Sequence, residues 1–213
     1  MGSDELWDRA EAVLEQVVKE NSHEYTVNAG DGAFYGPKID FVVQDVLMRD
    51  WQLGTIQLDF NMPERFGLEY RNSQGSASRP VMIHRAVLGS LERFIGILIE
   101  HYGGAFPLWL SPVQISLIPV AEPHANYAHA IVRDLQQAGY RVELQTASET
   151  LGARIRKSQT EKIPYMLVMG DKEIEAKKIA IRSRVKGDLG QKTVEEFLGQ
   201  LKQENKPTTM GVS

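Results

Sequence analysis

The stretch Met82–Gly104, MIHRAVLGSLERFIGILIEHYGG, sets one cation, Arg93, in an apolar run with a glycine on either side. Gly89 lies four residues before it and Gly96 three after, so on a helix the three share a face. Val87, Leu88, Leu91, Phe94, Ile95, Leu98 and Ile99 fill the rest of the circumference, the pattern of a buried helix. Each glycine costs about 1 kcal/mol against alanine in a helix interior. Two of them beside a buried guanidinium predict clearance for a flat anionic group. Read alone, Arg93 is equally a core arginine paired with Glu92 or Glu100.

Upstream of this stretch, Glu5–Lys19 has helical spacing through Leu6, Ala10, Val13, Leu14, Val17 and Val18. EYTVNAG reads as a short strand entering a turn. KIDFVVQDV and GTIQLDF read as strands separated by LMRDWQL, and RNSQGSASRP (Arg71–Pro80) as a polar loop before the strand VMI. FPLWLSP, with prolines at 107 and 112, is a linker. Beyond it the order changes to strand (VQISLIPV), helix (NYAHAIVRDLQQAG), strand (YRVELQT), basic helix (LGARIRKSQTEK) and strand (IPYMLVMG). A charged turn (DKEIEAKK), a strand (IAIRSRV) and a helix capped by Thr193 follow. The fold class is therefore α/β (α+β): antiparallel sheet with helices first, then a compact α/β domain with a mixed sheet.

At 213 residues, the chain has room for one large or two modest domains. It has no cysteine, which excludes disulfides and thiolate zinc sites within it. No apolar run reaches bilayer length and no signal-peptide pattern opens the chain, so no membrane association and a cytoplasmic location are expected. The net charge of -4 hides an asymmetry: residues 141–192 hold 12 Lys+Arg against 7 Asp+Glu, while residues 1–140 hold 10 against 18. A late basic segment fits a nucleic-acid footprint, or a solvated charged face.

Three groups of motifs resemble one family. GAFYGPKIDF with WQLGTIQLDFNMPERF, then PVMIHRAVLGSLERFIGILIEHYGGAFPLWLSPVQ, then IPYMLVMGDKEIEAKKIAIRSR are similar to the C-terminal part of bacterial threonyl-tRNA synthetase, a class II enzyme. The resemblance implies that residues 1–106 are the end of the catalytic domain and contain the third class II motif. It makes 107–112 a linker, 113–206 an anticodon-binding domain and 207–213 a disordered tail. The implied activity is that of a threonine–tRNA ligase, which activates threonine with ATP and Mg and transfers it to threonine tRNA, usually as a homodimer. The first two class II motifs, the editing region and two zinc ligands lie upstream in the family. The chain is therefore expected to begin inside the catalytic domain, to expose half a core, to be inactive by itself and to dimerise poorly. A free-standing tRNA-binding module and a non-catalytic paralogue are the alternatives.

By the same resemblance, Arg93 meets the ATP triphosphate with its fixed planar charge, and Lys38 lies near the nucleotide. Tyr35, Gln52, Gln57 and Ser90 line the threonine pocket. His84 is a ligand to a zinc ion that holds threonine's amino and hydroxyl groups. Such an open centre takes three protein ligands, and only one is identifiable here, so no tight zinc binding by this chain is expected. His23, His101, His124 and His129 do not match the missing ligands. Lys172, Glu173 and Arg182 read the second and third anticodon bases, Glu accepting from base amino groups and Arg donating in a planar fork. Arg154, Arg156, Lys157 and Arg184 are expected phosphate contacts. Without the family, Tyr35 is a turn residue beside Gly-Pro and the glutamines are strand-edge hydrogen bonders. His84 is then a hydrogen-bonded histidine and DKEIEAKK a solvated turn. Asp40 and Asp59 read as structural carboxylates and receive no role.

Overall fold

The computed structural model describes residues 3–21 and 24–204; His23 and the expected tail 207–213 lie outside them. The chain divides into two compact units, Met1–Gly96 and Ile97–Ser213.

The first unit opens with α1 (Asp4–Glu20), capped by Ser3, whose Oγ accepts from the Leu6 amide at 3.3 Å. Its sheet is antiparallel in the order β1 (Lys38–Gln44), β2 (Asp50–Asp59), β5 (Met82–Ala86). A short helix α2 (Asn61–Arg65) follows β2. The polar loop at 71–80 is largely a tight hairpin of β3 (Tyr70–Arg71) and β4 (Ala77–Ser78). The division between units falls within α3 (Leu91–Tyr102).

Three expectations fail in this unit. EYTVNAG is not a strand: it pairs with no other strand, and Val27 is 74% exposed. The LMRDWQL separator shrinks to the turn at 45–49, because the Asp45 carboxylate accepts from the Leu47 and Arg49 amides and lets β2 resume at Asp50. The apolar run around Arg93 is not a buried helix with two facing glycines. α3 begins at Leu91 and none of its residues is buried. Gly89 lies before it at φ +64°, where an added Cβ would meet the Leu53 carbonyl at 2.7 Å. Its role is a left-handed turn pressed on β2 rather than clearance on a helix face.

The only buried hydrophobic residues of the first unit, among those described, are Ala10 and Phe60. Phe41, Val43, Ile83, Val87, Leu91 and Ile95 are all about half exposed or more. Periodicity shows that a face is apolar; it does not show whether a second layer covers it.

The second unit has its own core. A five-stranded mixed sheet runs β10 (Gly187–Lys192), β9 (Ile179–Ser183), β8 (Tyr165–Met169), β6 (Ile115–Pro119), β7 (Val142–Leu144). β7, β6 and β8 are parallel; β8, β9 and β10 are antiparallel. α4 (Ala125–Gln137) and α5 (Leu151–Thr160) make the parallel crossovers, as strand–helix alternation requires. β6 reads ISLIP and is buried at every residue, the composition of a central parallel strand. α7 (Val194–Glu204) lays Phe197 and Leu201 into the core beside Tyr165, Leu167 and Ile181. Its cap is reciprocal: Thr193 Oγ1 accepts from the Glu196 amide at 3.2 Å, and Glu196 Oε2 from the Thr193 amide at 2.9 Å. The charged turn DKEIEAKK is in fact a short helix, α6 (Asp171–Ala176), ended by Lys177 at φ 51°. β10, from KGDLGQK, went unassigned in sequence because its glycines mask any alternation.

Candidate functional site

Strand register gathers the sequence-predicted residues of the first unit. Lys38 on β1 sits opposite Gln57 on β2, which sits opposite His84 on β5. Directly opposed residues share a face, so the three side chains form one row across the sheet. Tyr35 joins them from the turn before β1. Its hydroxyl donates to Gln57 Oε1 at 2.7 Å, and its ring meets the His84 ring edge-on with centroids 6.1 Å apart. The turn is held down by Gly36, where an added Cβ would fall 2.1 Å from the Leu58 carbonyl oxygen.

Two carboxylates without an assigned role orient this row. Asp59, 3% exposed, accepts from the amides of Asn61 and Met62 through Oδ1 and faces His84 Nε2 through Oδ2 at 2.8 Å. Burial pushes its carboxyl up, and the His84 imidazole with the two amides outweighs that, leaving it below the ordinary range. Asp40 takes the Lys38 ammonium at 2.7 Å, with Asp31 3.4 Å from the same nitrogen. Burial raises the Asp40 carboxyl, and its polar surroundings, led by Lys38, together bring it below the ordinary range; the hydrogen bond to Asp40 in turn raises Lys38. Asp40 Oδ1 and Thr55 Oγ1, in the next row, are buried without a hydrogen-bond partner among the described residues. A signal for Asp59 existed in sequence, since aspartate side chains commonly accept from the amide two residues on.

Ser90 and Arg93 stand at the start of α3. Ser90 Oγ donates to Glu92 Oε2 at 2.7 Å and accepts from the Arg93 amide at 3.4 Å. Arg93 is exposed, and Nη1 donates to the Gln52 carbonyl at 3.1 Å. Arg93 is thereby tied to the main chain of β2 at Gln52.

The described residues do not complete a zinc centre by themselves. Among the described residues no group of three His, Cys, Asp or Glu could hold a metal, and His84 Nε2 already faces Asp59. His84 is one ligand of the three such a centre takes from protein.

In the second unit, Lys172 is exposed on α6, and Arg182 is exposed on β9 opposite Met166 and Asp188. Glu173 is partly engaged: Oε2 accepts from the Gly170 amide at 2.9 Å and Oε1 from Gln191 at 2.5 Å. Gln191 is opposite Ala180, two residues before Arg182, so Glu173 and Arg182 come to one face of the sheet. Arg156 and Lys157 are exposed on α5, Lys157 beside Glu143 at 3.2 Å.

Two expected phosphate contacts are structural instead. Arg154, 2% exposed, donates to the carbonyls of Glu149, Pro119 and Val120. Arg184 donates to the carbonyls of Lys162, Ala105 and Phe106, and burial pulls its pKa down. Both guanidiniums spend donors on main-chain carbonyls, and that of Arg154 is closed to solvent.

Residues 3–102 match the model of the tRNA synthetase class II core domain (G, H, P, S and T), and residues 114–204 that of the anticodon binding domain. The chain is 58% identical over 201 residues to a threonine–tRNA ligase of Carboxydothermus hydrogenoformans, covering 94% of this chain and 32% of that protein. Over nearly all of its length it is similar to threonyl-tRNA synthetases. A threonine–tRNA ligase of Syntrophomonas wolfei is 56% identical over 92% of this chain and 31% of its own length. The chain thus spans about a third of the curated relatives it matches. A solved structure described as the RNA binding domain of threonyl-tRNA synthetase from Cryptosporidium parvum superposes with a TM-score of 0.82 at 39% identity. It is matched over 99% of this chain and 53% of that one. A putative threonyl-tRNA synthetase from Aeropyrum pernix gives 0.65 at 30% identity, over 95% of this chain and 50% of its own. No described helix is long and apolar enough to cross a membrane.

Proposed function

We propose that this chain carries the threonine- and nucleotide-facing sheet and the anticodon-reading domain of a threonine–tRNA ligase. Residues 1–106 belong to the catalytic domain, 107–112 to a linker and 113–206 to the anticodon-binding domain. The observation that carries the reading is the row Lys38–Gln57–His84 with Tyr35 on Gln57, a continuous polar row across one face of the sheet. Tyr35, Gln52 and Gln57 receive the polar groups of threonine. Arg93, with Ser90 fixing the first turn beneath it, meets the anionic phosphates of ATP. Mg, bound with the nucleotide, would neutralise charge on those phosphates. His84, held by Asp59, is this chain's contribution to a zinc centre whose other ligands it does not supply. Lys172, Glu173 and Arg182 read anticodon bases, and Arg156 and Lys157 contact phosphates. A cytoplasmic location accompanies this reading. A free-standing RNA-binding module is less well supported, because the polar row serves no purpose in it.

The test uses a threonine tRNA transcript and one with its second and third anticodon bases changed, each at two salt concentrations. Preference for the first, lost in Arg182→Ala, supports base reading. Equal, salt-sensitive binding to both leaves only a basic surface and refutes it. For the front half, Arg93→Ala in a relative of full length should abolish threonine-dependent ATP–pyrophosphate exchange. Near-normal exchange would remove Arg93 from the nucleotide site.

A further inference from the structure

His124 closes the 3-10 turn Glu122–His124 that follows β6, and only 7% of it is exposed. The Ala121 amide donates to Nδ1 at 3.0 Å, so the neutral ring carries its proton on Nε2. Nε2 donates to Asp171 Oδ1 at 3.0 Å, and Asp171 is the first residue of α6.

The surroundings make this a brace. On the β6 side, Arg154 grips the Pro119 and Val120 carbonyls, and the Val120 amide donates to the Met169 carbonyl at 2.8 Å. On the β8 side, Gly170 lies so close to Val120 that an added Cβ would be 3.3 Å from its Cγ2. From outside α6, Gln191 reaches Glu173 and His124 reaches Asp171. Gln191 occupies a carboxylate oxygen that a base amino group would need. The hydrogen bonds of His124 go to Ala121 and Asp171 and leave Lys172 and Glu173 to the bases, so they can persist while RNA is bound. The His124 side chain is 9% exposed but that of Asp171 is 89% exposed, so solvent screens the pair and it adds little stability. The bond therefore acts on where the turn sits more than on whether the domain folds.

We propose that His124 is a positioning residue for RNA recognition: through Asp171 it fixes the turn that presents Lys172 and Glu173 to the bases. The inference rests on the base-reading role given above to α6 and β9.

The experiment compares His124→Asn and His124→Gln in the full chain. The Asn carboxamide oxygen can replace Nδ1 as acceptor for Ala121 but is too short to reach Asp171. The Gln amide can replace the donor toward Asp171. Two quantities are read: melting temperature, and the ratio of affinities for the threonine transcript and its anticodon-altered counterpart. His124→Asn should melt near the parent yet lower the ratio about three- to tenfold. His124→Gln should restore most of the ratio, even with a lower melting temperature. A parental ratio in His124→Asn overturns the inference, and so does a ratio that merely follows melting temperature in both variants. Arg182→Ala separates the two levels: if it keeps the parental ratio, base reading itself fails and the inference falls with it.

Discussion

Arg154→Ala tests whether a basic residue in a basic segment belongs to the fold or to the ligand. The residue is 2% exposed, and its guanidinium spans three carbonyls, two of them where β6 ends. A buried carbonyl left without a partner costs about 1–3 kcal/mol. Water entering the vacated space recovers some of that, so the three losses do not simply add. A total of about 3–5 kcal/mol is expected, the range for removing one member of a buried charged contact. For a domain of this size, about 1 kcal/mol shifts the melting temperature by 4–8 °C, so the second unit's calorimetric transition should fall by more than about 10 °C. Arg156→Ala is the counterpart. Its side chain is exposed on the same helix, so stability should stay within about 0.5 kcal/mol. The salt dependence of RNA binding should instead drop by about one phosphate contact. If Arg154→Ala melts like the parent and loses RNA affinity with a reduced salt slope, its carbonyl bonds do not hold the strand end. It would then be the phosphate contact its composition suggested.

Gly36→Ala should lift the FYGP turn off β2 at a cost of about 1–3 kcal/mol, because the new Cβ would overlap the Leu58 carbonyl. Faster hydrogen exchange at Leu58 and Phe60, whose amides donate to Pro37 and Tyr35, reports it; unchanged exchange would show that the turn stands clear. Phe197→Ala, fully buried against Tyr165 at 5.3 Å between centroids, should cost about 3–5 kcal/mol in urea unfolding. A cost under about 1 kcal/mol would mean that α7 is not part of the core. The Asp45 carboxyl is held far below its ordinary 3.8, first by the Trp51 indole and then by the Arg49 amide. A depressed folded pKa stabilises above the unfolded value and is lost only as pH falls through the folded one. The Trp51 indole NMR signal should therefore stay fixed from neutrality to about pH 4 and shift only below; movement above pH 4 refutes the contact.

Much of the second unit was legible because its signals are local and agree with one another: an unbroken apolar strand, amphipathic helices of ordinary length, a capping threonine at 193. The exceptions are also physical. Charge patterning makes Arg154 and Arg184 phosphate contacts because it counts cations without knowing which main-chain carbonyls they meet. α6 was read as a turn because a helix of six residues has too few turns to show a period. In the first unit the strands were legible, but the state of α3 was not. An apolar helix surface is written in its own residues, and its covering is written elsewhere.

The candidate sheet site shows the same limit in one residue. On a strand with strict alternation, Gln52 and Gln57, five positions apart, point to opposite faces. Here they serve one face. Pairing runs Phe41 with Gly54 and then Val42 with Gln52, which leaves Leu53 as an inserted residue in β2. The inserted residue reverses the phase of the strand and turns Gln52 toward Lys38 and Asp40, the side already held by Gln57 and His84. Gly89, pressed against the Leu53 carbonyl, packs at the same irregularity, and Arg93 donates to the carbonyl next to it. The bulge therefore does two things at once. It brings a second glutamine to the polar row, and it offers main-chain oxygens to the segment that carries Ser90 and Arg93. Binary patterning alone would have separated these residues; an inserted residue in one strand is what makes them a single site.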